Sequence, residues 1–343
     1  MSSVTTTAER ERPASRVCVP SEGENGLFTQ SWFAVCLSTD VAPGRIFNAP
    51  FLDGKVIAIR DEKGVARVLS AYCLHMGADL SNGRMIDGGI QCPFHHWRYD
   101  CDGKCVRTGI GDPVPARAQL FQFPTEERCG VVFAFNGAEA LYPIPDPFAP
   151  YESEELLLVT RRDHRSPWPV DPWVVRANTP DWQHFGFVHG MTNTQRLGTD
   201  SYRWSEHAVN LDTTVTLSDA KHSRLEYHIQ ITGTTFWHHQ GLLDGRWHMS
   251  MSGLGLPRSG SCEHYYTCAV HKGDGSQASE TEARNFLDEF MLTFEKMLDE
   301  DDQILRGLRY KPALLTASDA SLARYLEYVR KFPRANPARD FIS

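Results

Sequence analysis

The stretch Cys73–Tyr99, CLHMGADLSNGRMIDGGIQCPFHHWRY, decides how the rest of the chain is read. Cys73 and His75 form a Cys-x-His pair, Cys92 and His95 a Cys-Pro-x-His pair, and sixteen residues lie between the pairs. Two thiols and two imidazoles suit a metal of soft to borderline character. Zinc is the plainer alternative, since Cys2His2 is a common structural zinc set. Zinc fingers favour Cys-Cys and His-His pairs, however, whereas each pair here holds one of each. A [2Fe–2S] cluster with two thiolates on one iron and two imidazoles on the other needs that mixture. Gly77, Gly83, Gly88, Gly89 and Pro93 supply turn-forming residues around the two ligand loops.

This pattern resembles the Rieske family, and its oxygenase branch more than its respiratory branch. Respiratory members carry two further cysteines that form a disulfide between the ligand loops. The matching positions here are Ala78 and Phe94, so that bridge is not expected.

At 343 residues the chain is long enough for two domains. Apolar content of 41% and charged content of 23% are ordinary for a globular protein. A net charge of −8 argues against nucleic acid and anionic membrane as partners. No apolar run reaches the ~18 residues of a membrane span. The N-terminal segment lacks a signal-type apolar core and reads as a disordered lead-in over residues 1–26. Nine scattered cysteines fit a reducing cytoplasm better than a disulfide framework. Cys101 and Cys105 are read as bystanders, because four cluster ligands are already counted.

Residues 27–140 read as a small all-β domain around the cluster loops. Its strand-like runs are Lys55–Arg60 and Val65–Ala71, split by a turn at Asp61–Gly64, and Val131–Phe135, closed by Asn136-Gly137. Residues 141–172, rich in Pro and acid, read as a linker. In residues 173–343 the pattern changes. Asn178–His189 looks helical; Val209–Leu217, Arg224–Thr232, Arg246–Gly253 and Glu263–His271 alternate like antiparallel strands. One long amphipathic helix covers Glu280 to about Arg309, and a last helix covers Ser318–Lys331, with Ser318 as N-cap and Pro333 beyond its end. A curved antiparallel sheet against a long helix leaves room for a small ligand between them.

A second set of metal-ligand residue types lies in Asn178–His189, NTPDWQHFGFVH. Asp181 and His184 are three apart and share a helix face. His189 follows His184 by five, about 140° round an ideal helix, so the helix must end or distort for both imidazoles to meet one ion. Gly186 between them eases that. Two imidazoles and one carboxylate form the facial triad of non-haem Fe(II) oxygenases. The long C-terminal helix offers the carboxylate. Its apolar seam runs Leu287, Phe290, Phe294, Met297, Ile304 and Leu308, and Asp301 sits on that seam with only apolar neighbours at helical spacing. Asp302 has charged neighbours and is the fallback. A seam carboxylate is costly unless it is paired or bound to metal.

Taken together, residues 28–310 resemble the catalytic (α) subunit of Rieske non-haem iron oxygenases. The family's N-x-x-D-x-x-H-x4-H pattern is matched by Asn178, Asp181, His184 and His189, and its distal D-x-x-I by Asp301 and Ile304. The Glu that often precedes the Asn is Ala177 here. The resemblance implies an α+β architecture: an N-terminal all-β Rieske domain followed by a helix-grip catalytic domain. It implies cluster ligands Cys73, His75, Cys92 and His95, and iron ligands His184, His189 and Asp301. It further implies a head-to-tail homotrimer in which Asp181 accepts a hydrogen bond from His95 of a neighbouring subunit and from His184 of its own. O2 and a small-molecule substrate are consumed. NAD(P)H acts through a separate ferredoxin or flavin reductase, since no G-x-G-x-x-G after a strand and no plant-type ferredoxin cysteine set occurs in this sequence.

QCPFHHWRYD and DDQILRGL are similar to single-component monooxygenases such as aminopyrrolnitrin oxygenase and steroid hydroxylases or desaturases. That favours monooxygenation; demethylation, desaturation and arylamine N-oxygenation are alternatives on the same scaffold. A Rieske electron carrier with a degenerate second site is the alternative of another class. Expected pocket liners are Phe185, Phe236, Trp237, His238, Met249 and Met251. Arg and Lys are sparse in the pocket strands, which speaks against a strongly anionic substrate such as a dicarboxylate.

Overall fold

The structure, a computed structural model, describes residues 18–191, 201–217, 223–311 and 314–343. The expected lead-in therefore falls partly outside the described residues. Its described end is anchored, with Val19 in the core and Glu22 only 2% exposed.

The N-terminal part is built of short antiparallel strands, as the period-two runs predict. Trp32–Leu37, Val131–Phe135 and Thr125–Arg128 form one sheet. Phe47–Phe51, Gly54–Arg60, Ala66–Ser70 and Gln122–Phe123 form a second. Arg84–Ile86, Gly89–Gln91, Arg98–Tyr99 and Cys105–Arg107 form a third, which carries the two ligand loops. Asn136, expected as half of a turn dipeptide, is fully buried. Its side-chain amide donates to the carbonyls of Phe28, Thr29 and Ala335 at 2.9–3.1 Å.

The C-terminal part is a seven-stranded antiparallel sheet. Its order is Leu156–Arg162, Ser261–His271, Arg246–Arg258, Phe236–Leu243, Arg224–Thr232, Ala208–Thr216 and Tyr202–Trp204. Helix α3, Gln277–Leu305, packs on one face through Leu287, Phe290, Phe294 and Leu298 against Tyr266, Cys268 and Val270. The other face rests on the N-terminal part, where Met249, Met251, Phe236 and Tyr265 meet Trp32 and Phe133. Alternate residues of one strand thus serve opposite faces. Helices α1 (Pro172–Arg176), α2 (Trp182–Phe187), α4 (Ala320–Lys331) and α5 (Arg339–Ile342) complete the fold. No helix among the described residues is long and apolar enough to cross a membrane.

The linker 141–172 needs correction. Leu156–Arg162 within it pairs in full register with Ser261–His271 as the edge strand of the sheet. Its acid- and Pro-rich flanks masked a seven-residue strand. The 173–343 boundary is corrected too, because the tail leaves the catalytic part: Arg334–Ala335 pairs with Phe28–Thr29, and Ala338 and Ile342 join the N-terminal core. Ser318 does not cap the last helix; a short 3-10 turn precedes α4, and Asp319 bonds back to Thr316. Ile304 is 42% exposed rather than on the seam, and Leu305 takes that place.

Candidate functional site

The two cluster loops are near copies of one another. Cys73 N donates to Ala78 O at 2.9 Å, and Cys92 N donates to Trp97 O at 2.8 Å. Four residues beyond each cysteine the backbone turns left-handed, at Gly77 (φ 73°) and His96 (φ 55°). That turn returns the chain to its sheet and leaves both histidines on the outer rim. The sulfurs are buried, with Cys73 at 3% and Cys92 at 1% exposure, while His75 and His95 are exposed. The two Nδ1 atoms face each other at 3.1 Å. Two buried thiols beneath an exposed imidazole pair are the donor set that would hold a [2Fe–2S] cluster of mixed thiolate and imidazole ligation.

Two supports were invisible in the sequence. Trp97 stacks on His75 at 4.7 Å, with 7° between planes. The Tyr99 hydroxyl accepts from Leu74 N at 3.1 Å, so its own hydrogen is directed to Cys73 Sγ at 3.2 Å. All nine cysteines are free, and Cys101 bonds to Gly88 O, as befits a bystander.

The second site forms where α2 meets α3. Asp181 caps α2, its carboxylate accepting the backbone N–H of His184 at 3.3 Å. This contact is to the backbone of His184 and not to its imidazole. The helix ends at Phe187 with Val188 as its C-cap, and His189 just beyond it faces His184. The helix thus ends between the two histidines, one residue beyond Gly186.

His184 Nε2 and His189 Nε2 lie 2.9 Å apart, and Asp301 Oδ1 lies 3.3 Å and 3.5 Å from them. Three ligands at right angles and ~2.1 Å from one ion would stand about 3.0 Å apart. The triangle therefore matches a facial set that leaves the opposite face open. Asp301 Oδ1 is buried and has no hydrogen-bond partner among the described residues. Burial raises the Asp301 carboxyl to about 6, against the pull of His189 and the Asn178 amide. Burial, then His189, lowers the His184 imidazole to about 3. An unsatisfied carboxylate oxygen beside two imidazole nitrogens is a donor set that a divalent cation completes.

Glu300, absent from the sequence reading, accepts from His189 Nδ1 at 2.8 Å. This fixes the tautomer that presents Nε2. Asp302 is engaged elsewhere, with Trp168 Nε1 at 2.8 Å and Arg306 at 2.7 Å.

The triad lines a cavity between the sheet and α3, with Asn178, Phe185, Trp237, Phe290, Phe294 and Met297 among its walls. Of the expected liners, Phe185 and Trp237 are there. Phe236, Met249 and Met251 are core residues on the far face of the sheet, and buried His238 is absent from the wall. His239 takes its place, one residue on and hence facing the other way.

Residues 31–124 match the Rieske [2Fe–2S] domain. That match assigns this part of the chain to the Rieske [2Fe–2S] domain, and the Cys73, His75, Cys92 and His95 set fits such a cluster, while the His184, His189 and Asp301 set fits a single metal ion. Among the chain's relatives is the oxygenase component of 3-ketosteroid-9-alpha-monooxygenase of Rhodococcus rhodochrous, 31% identical over 166 residues, which are 47% of this chain and 43% of that protein. Another is aminopyrrolnitrin oxygenase PrnD of Pseudomonas fluorescens, 43% identical over 98 residues, 26% of this chain and 27% of that protein. The chain spans less than half the length of the curated relatives it matches. The structure of Pseudomonas putida CBB5 NdmA with caffeine shares the fold, with a TM-score of 0.67 at 17% identity over 88% of this chain and 89% of that one.

Proposed function

We propose that the chain is the oxygenase component of a multi-protein oxygenase. It takes electrons that originate in NAD(P)H from a separate ferredoxin or flavin reductase. With O2 it adds one oxygen atom to a small, largely apolar or aromatic molecule. The observation that carries this reading is the His184–His189–Asp301 triangle in the wall of an apolar cavity.

Cys73, His75, Cys92 and His95 hold the cluster, and His184, His189 and Asp301 hold the iron. When bound, the two centres supply single electrons and O2 activation. The chain's own residues do the rest. Glu300 holds His189 in one tautomer. Asn178 faces the Asp301 carboxyl. Phe185, Trp237, Phe290 and Phe294 exclude water and receive the apolar body of the substrate.

The active form is read as a cytoplasmic head-to-tail homotrimer, in which the cluster of one chain serves the iron of the next and Asp181 bridges them. Met76 and Phe94, 68% and 59% exposed beside the cluster histidines, support such docking, as does Phe187, 88% exposed on α2.

The first test is an iron and acid-labile sulfide count on anaerobically purified protein. About three irons and two sulfides per chain are expected. About two of each after Fe(II) reconstitution leaves only the cluster and moves the electron-carrier reading ahead. Asp181→Asn is expected to keep both metal sites and lose turnover; activity near the wild-type rate removes the bridging role. Product analysis separates hydroxylation from demethylation, desaturation and arylamine N-oxygenation, which the same donor set serves.

A further inference from the structure

We infer that Arg176 orients the substrate, and that the substrate carries one anionic group, such as a carboxylate, on an otherwise apolar body. This rests on reading the cavity as the oxygenase's substrate pocket.

Two arginines are buried among the described residues, Arg165 at 6% exposure and Arg176 at 5%. Arg165 is doubly paired, with Asp163 at 2.9 Å and Asp299 at 2.7 Å. Arg176 is paired with no carboxylate among the described residues. Its Nε and Nη2 donate to the Thr235 carbonyl at 3.2 and 2.9 Å, and Nη2 donates also to the Ser252 carbonyl at 2.9 Å and Oγ at 2.8 Å. Every one of these acceptors is neutral, and Nη1 makes no hydrogen bond among the described residues.

Asp301 is the one carboxylate among the described residues of the wall, and it faces the two imidazoles, so the wall supplies no counter-charge to Arg176. Because Ser252 Oγ accepts from Arg176, its hydrogen goes to His264 Nε2 at 2.7 Å, and His264 Nδ1 donates to Asp163 at 2.9 Å. The nearest carboxylate along that chain of bonds is thus two side chains away and already bound to Arg165. Burial draws the guanidinium down to about 10, and no acidic Asp or Glu offsets it. A buried cation is costly without a counter-charge. Arg176 and Ser252 both line the cavity that holds the metal triad. The ligand of that cavity is the remaining source of an anion.

The placement suits orientation. Arg176 ends α1, two residues before Asn178, which faces Asp301. An anion held at Arg176 therefore fixes one end of the substrate in the cavity whose wall carries the metal triad. Its apolar body then lies among Phe185, Trp237 and Phe294. The scarcity of cations in the strands does not bear on this, because the cation enters from a helix.

The test is equilibrium binding to the full iron-loaded chain of two isosteric probes, p-toluate and p-toluamide. Wild type is expected to hold the carboxylate about 30-fold tighter or more. Arg176→Gln should bring the ratio near one with amide binding little changed. Arg176→Lys, which keeps charge but loses the planar fork, should keep a reduced preference. If the glutamine variant does not fold, the wild-type and lysine ratios decide. A wild-type chain that binds both probes equally, or neither, overturns the assignment, as does a folded Arg176→Gln that keeps the preference. Iron is counted on the same preparation. Three irons without carboxylate preference sinks the Arg176 assignment alone. Two irons with an Arg176-dependent preference sinks the oxygenase reading alone.

Discussion

Two adjacent aspartates on α3 meet opposite surroundings. Asp301 lies against both imidazoles, whereas Asp302 is held by Trp168 and Arg306. Asp301→Ala is expected to lower mononuclear iron while leaving the cluster's visible spectrum intact, and Asp302→Ala to retain both; metal analysis beside absorbance reads the difference. Glu300→Gln should weaken iron binding about 10- to 100-fold by loosening His189, measurable by competition with a chelator. The choice of Asp301 was legible because an acidic residue interrupted an apolar seam. Glu300 was not, since no helical period links it to His189 across 111 residues. Nor was Tyr99, a β-strand aromatic whose hydroxyl matters only once Cys73 is folded beneath it. Of the expected pocket liners Phe185 and Trp237 face the cavity, whereas Phe236, His238, Met249 and Met251 do not: strand periodicity tells which residues share a face but not which face meets the cavity.

At the scale of elements, the strand Arg246–Arg258 is pressed against the N-terminal part at a residue with no side chain. A methyl group on Gly253 would lie 2.6 Å from the buried ring of Phe133. Gly253→Ala should therefore destabilise the chain by about 1–3 kcal/mol, seen as a lower urea midpoint.

A second prediction concerns the segment before Phe28–Thr29. Glu22 accepts from the backbone and hydroxyl of Thr29 at 2.8 Å each, and its backbone N–H reaches Asp171 at 3.0 Å. Burial pushes its carboxyl up to about 7, against the opposing pull of Arg334. A folded pKa above the ordinary 4.5 gives a contribution that is whole below 4.5 and is lost as pH rises through 7. The loss approaches about 3 kcal/mol by pH 8, and Glu22→Gln should flatten it, as urea titrations between pH 5 and 8 would read. Alternating strands such as Arg224–Thr232 were legible to the residue. Phe236–Leu243, with consecutive histidines and a glycine, has no clean alternation, and its place in the sheet is set by both neighbours rather than by its own pattern.

For the whole molecule, assembly is the open quantity. Light scattering on the 38.7 kDa chain is expected to return about three copies, and Phe94→Asp, beside the cluster, to shift it toward one. A trimer that survives this change places the interface elsewhere.

The return of the C-terminal tail also orders events in time. Ala338 and Ile342 belong to the same core as Phe28, Phe51 and Val56, and Asn136 clamps the backbone of Thr29 and Ala335 together. A ribosome that has made only the first half of the chain has made both cluster loops but not the residues that close their domain. Vectorial synthesis therefore leaves that core unfinished until residues 334–342 emerge. A fragment cut after residue 140 begins with a hole where the tail should be.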